Sequence, residues 1–138
     1  MTEVVLDTSV VVKWFAQEQR GSEEARELRS EYEAGRLSVV VPALLFLELL
    51  NVAGRRWRWD EAALLELADA LDDLLFEVSE PELPSIAPWV ARGLTAYDAV
   101  YVALAEERSQ PLVTDDQTIL TTAGGSTRPL MGGSTPIS

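Results

Sequence analysis

Short, mostly apolar runs alternate with helical stretches along this chain, and that alternation constrains its fold more than any other feature. Glu3 to Leu6, Leu37 to Val41 and Leu112 to Thr114 read as buried strands. Phe76 to Val78 and Arg128 to Met131 are two further short strand candidates. Between them the pattern predicts helices over Thr8 to Ala16, Ser22 to Ala34, Ala43 to Arg56, Asp60 to Leu75, a short stretch ending at Arg92, Thr95 to Arg108 and Asp116 to Thr122. Ser22 is the expected N-cap of the second helix and Gly35 its C-cap. Leu64, Leu67, Leu71 and Leu74 recur at helical spacing. Strands that alternate with helices predict an α/β fold, with a mostly parallel sheet of four to five short strands covered on both faces.

The chain of 138 residues suits one domain, expected over 1–131, with a flexible Gly/Ser/Thr/Pro tail over 132–138. Thr2-Glu3 offers no basic segment of the kind that opens a signal peptide. No apolar run approaches the ~20 residues needed to span a bilayer. The chain has no Cys, which excludes disulfides and thiolate chemistry and fits a reducing compartment, so a cytoplasmic location is expected.

Four carboxylates sit where apolar residues surround them. Asp7 ends Val4-Val5-Leu6, Glu48 interrupts Leu44 to Leu50, Asp98 lies within Ala96 to Leu104, and Asp116 follows Leu112-Val113-Thr114-Asp115. A carboxylate beside a core must be paired, hydrogen-bonded or metal-bound. The chain has no His and a single lysine, Lys13. Hard oxygen donors without imidazole or thiolate point to Mg²⁺ or Mn²⁺ rather than Zn²⁺, and such a site handles phosphate. Asp7 and Asp116 fall at strand ends, where α/β folds gather ligands.

Each acid has a plainer alternative. Asp7 could be a helix N-cap. Glu48 could face solvent, although Leu44, Leu45, Asn51 and Val52 share its face, and Asn51 could orient it or a water. Thr95-Ala96-Tyr97-Asp98 has the form of a capping box. Asp116 competes with Asp115 for one role, beside Thr114; either could cap the following helix, and the plain alternative is a simple Asx turn.

The absence of His removes Ser-His-Asp triads, His general bases and HExxH zinc sites, and no Gly-rich run ends in Gly-Lys. A net charge of −12 disfavours broad nucleic-acid binding and favours a basic partner. The best compensating patch is Arg55-Arg56-Trp57-Arg58-Trp59, which either grips phosphate and stacks on a base or is a helix end with packed tryptophans. Lys13 could also reach a substrate.

Together these stretches resemble the PIN domain family, especially its VapC-type ribonuclease toxins. The resemblance rests on Val4 to Ser9 with Val12 to Phe15, Pro42 to Asn51, Thr95 to Ala105 and Leu112 to Asp116, and covers residues 3 to 131. It implies a three-layer α/β/α fold and Mg²⁺- or Mn²⁺-dependent cleavage of RNA. It makes Asp7, Glu48, Asp98 and Asp116 the metal-binding acids, with Asp116 chosen over Asp115 by a Thr-any-Asp motif. Ser9 and Thr114 become secondary polar groups. It also implies a homodimer and a cognate antitoxin whose basic segment blocks the site. A catalytically silent module with the same fold is the alternative. A phosphorelay receiver domain wants a lysine after a late strand, and a haloacid-dehalogenase-type phosphatase wants Asp where Ser9 stands, so both fit poorly.

Overall fold

The structure, a computed structural model, describes residues 2–16 and 20–131. The expected tail, 132–138, lies outside the described residues. Five strands, β1 (Thr2–Leu6), β2 (Leu37–Val41), β3 (Glu77–Val78), β4 (Leu112–Thr114) and β5 (Thr127–Pro129), form one sheet in the order β3-β2-β1-β4-β5. Each neighbouring pair is parallel, with Val4 opposite Val39 and Val5 opposite Leu112. Around it run α1 (Thr8–Val11), α2 (Ser22–Glu33), α3 (Leu44–Asn51), α4 (Glu61–Asp73), α5 (Leu83–Ala91), α6 (Ala96–Arg108) and α7 (Gln117–Thr122).

A parallel sheet must be covered on both faces, which is why its central strands are continuous apolar runs. Val4, Val5 and Leu6 are fully buried, and each such side chain contributes on the order of 1.5–3 kcal/mol by leaving water. α6 packs on β1 and β4, with α5 outside it, and α2 packs on β2. The result is the expected three-layer α/β/α arrangement. From β1 the chain steps to β2 and β3 on one side, then crosses back to β4 and β5 on the other. The reversal between β1 and β4 opens a crevice beyond their C-terminal ends.

Several boundaries differ from the sequence expectation. The first helix is α-helical only over Thr8–Val11 and tightens into a 3₁₀ turn over Val12–Trp14. Three successive β-branched valines, Val10 to Val12, weaken the longer helix that periodicity suggested. Gly21, not Ser22, is the N-cap of α2. Its φ is +81°, and a Cβ there would sit 3.1 Å from Leu130 Cδ2 and 3.2 Å from Lys13 Cε, so backbone and space both call for glycine. The helix expected through Arg56 is α-helical only to Asn51, and Val52–Arg56 continues it as a π turn. β5 lies at a sheet edge one to two residues earlier than expected, where Pro129 costs no ladder donor.

Candidate active site

Asp7 follows β1 at the crevice and is 4% exposed. Its carboxylate caps no helix; instead Ser9 donates to Oδ1 at 2.6 Å and the buried Thr114 hydroxyl donates to Oδ2. Thr114 ends β4, so this clamp joins the two strands that flank the switch point. Burial pushes the Asp7 carboxyl up to about 6. The two hydroxyls pull it back down, and the charges of Asp116 and Asp98 raise it further.

Glu48 comes from the middle of α3. Its Oε1 accepts from the Tyr101 hydroxyl at 2.6 Å and from the Thr8 hydroxyl, and those two hydroxyls lie 3.1 Å apart. Burial, then the hydrogen bond to Glu48, holds the Tyr101 phenol well above its ordinary range, so it is a fixed donor.

Asp98 sits in the first turn of α6, where its backbone N–H is capped by Thr95 Oγ1 at 3.1 Å. The capping alternative therefore holds for Thr95, while the Asp98 carboxylate faces the crevice. Burial raises its pKa most, followed by the charges of Asp116 and Glu48, against the Thr95 hydrogen bond. Asp116 caps α7 by accepting from Ile119 N–H through Oδ1 at 3.0 Å. Its own N–H donates to Thr114 Oγ1 at 3.0 Å. Cap and site are compatible here, because Oδ2 makes no hydrogen bond among the described residues.

Asp7, Glu48, Asp98 and Asp116 line one cleft of about 280 Å³ together with Ser9, Asn51, Thr8, Val52 and Tyr101. The cleft thus gathers all four expected acids, with Ser9 and Asn51. Thr8 and Tyr101 were missed, although Tyr101 stands one turn beyond Asp98 at the spacing that shares a helix face. A larger groove of about 360 Å³ lies between α2 and β5, but its three acids, half-buried Glu24 and exposed Glu27 and Glu31, all come from α2, and Glu31 is already paired with Arg36.

The donor chemistry suits a hard divalent cation. The acids supply only oxygens, and the like charges that raise Asp7 and Asp98 are what a cation offsets. Among the described residues, no three carboxylates close into a compact ligand group. The side chains sit in a hydrogen-bonded arrangement instead, with one Glu48 oxygen and both Asp7 oxygens engaged by hydroxyls.

The remaining candidates separate from the cleft. Asp115 pairs with Lys13 Nζ at 3.3 Å, and its N–H donates to Ser9 Oγ at 2.8 Å. Lys13 is only 8% exposed and also donates to the Ser9 carbonyl at 3.0 Å. Expected near substrate, it instead braces the loop behind Asp7, because burial leaves this ammonium no option but an internal partner. Arg55, Arg56 and Arg58 are exposed. Trp57 and Trp59 are half-buried against the core and against each other, with centroids 5.2 Å apart, so packing rather than base stacking takes up these rings.

A family model described as PIN domain matches residues 4–125. Among solved structures, the crystal structure of PAE2754 from Pyrobaculum aerophilum is similar, with a TM-score of 0.65 and 22% identity over 97% of this chain and 98% of that one. At that identity the likeness speaks for the fold. No curated protein sequence matches the chain. No helix among the described residues is long and apolar enough to cross a membrane.

Proposed function

The chain belongs to the PIN domain family, and on that premise we propose that it is a Mg²⁺- or Mn²⁺-dependent endoribonuclease serving as the VapC-type toxin of a toxin–antitoxin pair. PIN domains are generally metal-dependent nucleases. The observation that carries the finer reading is that Asp7, Glu48, Asp98 and Asp116 reach one cleft from four separate parts of the fold.

Those four acids are the residues that would hold the ion. When bound, it supplies Lewis acidity, which makes water a usable nucleophile at neutral pH and offsets charge on the phosphate. The protein's part is positioning. Ser9 and Thr114 lock the Asp7 carboxylate, and Thr8 with Tyr101 anchors Glu48 through Oε1, with no hydrogen bond to Oε2 among the described residues. Asp116 spends one oxygen on its helix cap and keeps the other. Exposed Asn51 brings an amide donor for a phosphate oxygen at the cleft wall. Water adds at phosphorus as the bond to the departing ribose oxygen breaks.

The partners follow from the same reading. A net charge of −12 favours an antitoxin with a basic inhibitory segment. Exposed Leu47, Leu65 and Leu83 are apolar surface that a second copy in a homodimer would cover. One observation favours a silent binding module of the same fold, namely the hydroxyl clamp that takes both Asp7 oxygens. Incubation with single-stranded RNA separates the two. Cleavage with Mn²⁺, none with EDTA, and loss in Asp116→Asn support the nuclease; intact RNA under every divalent condition supports the silent module.

A further inference from the structure

The π turn after α3 leads out of the acidic cleft. Val52–Arg56 closes with Trp57 N–H donating to the Val52 carbonyl at 3.1 Å, an i→i+5 bond. Such turns are rare and recur at functional sites. Asn51 and Val52, at its start, line the acidic cleft, and Arg55 and Arg56 end it. Its inner side is small: Ala53 is fully buried, and Gly54 lies against Leu64, whose Cδ1 is 3.5 Å from the position a Cβ would take. The arginines are left on the outside.

The chain then alternates. Trp57 and Trp59 turn inward as a half-buried pair, and Arg58 between them turns outward. Arg58 has φ of +60°, a left-handed conformation that favours glycine or asparagine at a helix end. An arginine there is a poor choice for stability alone.

Lys13, Arg29, Arg36 and Arg108 are each paired with a carboxylate, and the other described arginines are not; what sets Arg55, Arg56 and Arg58 apart is that three unpaired guanidinium groups fall within four residues. In a chain with 23 acids and 11 cations, an unpaired triple is a concentrated positive field.

We propose that Arg55, Arg56 and Arg58 form a phosphate-binding strip that holds the backbone of single-stranded RNA on one side of the cleft. This rests on the ribonuclease reading above. From Glu48 to Arg55 the helix axis advances on the order of 10 Å, so the strip takes phosphates a few nucleotides from the bond to be cut. The contacts are sequence-independent, and they supply locally the attraction that the overall charge denies.

The test is fluorescence anisotropy with a labelled single-stranded RNA of mixed sequence, titrated in EDTA across a range of KCl. Wild type is expected to bind with a salt slope that falls by roughly 0.7 for each phosphate contact removed. The Arg55→Gln/Arg56→Gln variant is expected to bind at least tenfold more weakly with a shallower slope. Arg58→Gly is expected to weaken binding while raising the melting temperature, because glycine relieves the left-handed backbone; a merely structural arginine would give the second effect without the first. Unchanged affinity and slope in both variants, beside a wild type that binds, overturns the strip and leaves the nuclease reading standing. A wild type that binds no RNA in EDTA also overturns the strip, while the nuclease reading stands or falls by cleavage with Mn²⁺.

Discussion

Tyr101 donates its phenolic hydrogen to Glu48 Oε1 at 2.6 Å, reaching from α6 to α3 across the floor of the acidic cleft. It stands one turn along α6 from Asp98, so one helix supplies both an acid and the support for another. Tyr101 is 2% exposed, and burial and Glu48 together keep its proton in place.

Tyr101→Phe keeps the ring and removes only the donor. Loss of this part-buried hydrogen bond to a carboxylate is expected to cost about 1.5–3 kcal/mol in urea unfolding. Mn²⁺ affinity is expected to fall by roughly 10–100-fold, as it does when a ligand loses its outer partner. Wild-type Mn²⁺ affinity in the variant would leave Glu48 without a need for this support.

Asp7 gives the metal-free protein a defined pH response. Its folded pKa of about 6 lies above the ordinary 3.8, so the folded state holds the proton more tightly. The associated stabilisation is present in full below about pH 4 and is lost as pH rises through about 6. For this buried group the difference is on the order of 3 kcal/mol, and Asp98 shifts in the same direction. In EDTA, stability is therefore expected to fall between pH 4 and 7 more steeply in wild type than in Asp7→Asn, measured by denaturant titration at each pH. Parallel curves would remove Asp7 as the source.

Expression of the chain alone in a bacterial host is expected to slow growth, and Asp7→Asn is expected to relieve it, as read from growth curves at matched soluble levels. Co-expression of a basic inhibitory partner should also relieve it. Equal growth with wild type and variant would end the toxin role and leave the fold assignment untouched.

Much of this site was legible in the sequence because a carboxylate inside an apolar run has few ways to exist. The strand ends at Leu6 and Thr114 located Asp7 and Asp116, and the parallel sheet follows from runs such as Val39-Val40-Val41. What could not be read depended on cross-chain geometry. Tyr101 looks like an ordinary core aromatic until α3 is placed against α6. Lys13 looked available because nothing local in the sequence shows it buried against Asp115, which is 102 residues away. The π turn is equally silent, since Val52 to Arg56 fits α-helical spacing and only the bond from Trp57 N–H to the Val52 carbonyl shows the widened turn. Ser22 looked like a cap because its hydroxyl suits the role, but the turn before it needs the positive φ of Gly21.

Calorimetric titration of the purified chain with Mn²⁺ at pH 7.5 tests most directly whether the four acids form one metal centre. Saturable binding in wild type, with affinity lowered at least tenfold in Asp98→Asn and in Asp116→Asn, is the expected result. Absence of binding in wild type, or equal binding in wild type and both variants, would contradict the assignment of Asp7, Glu48, Asp98 and Asp116 as the metal-holding set.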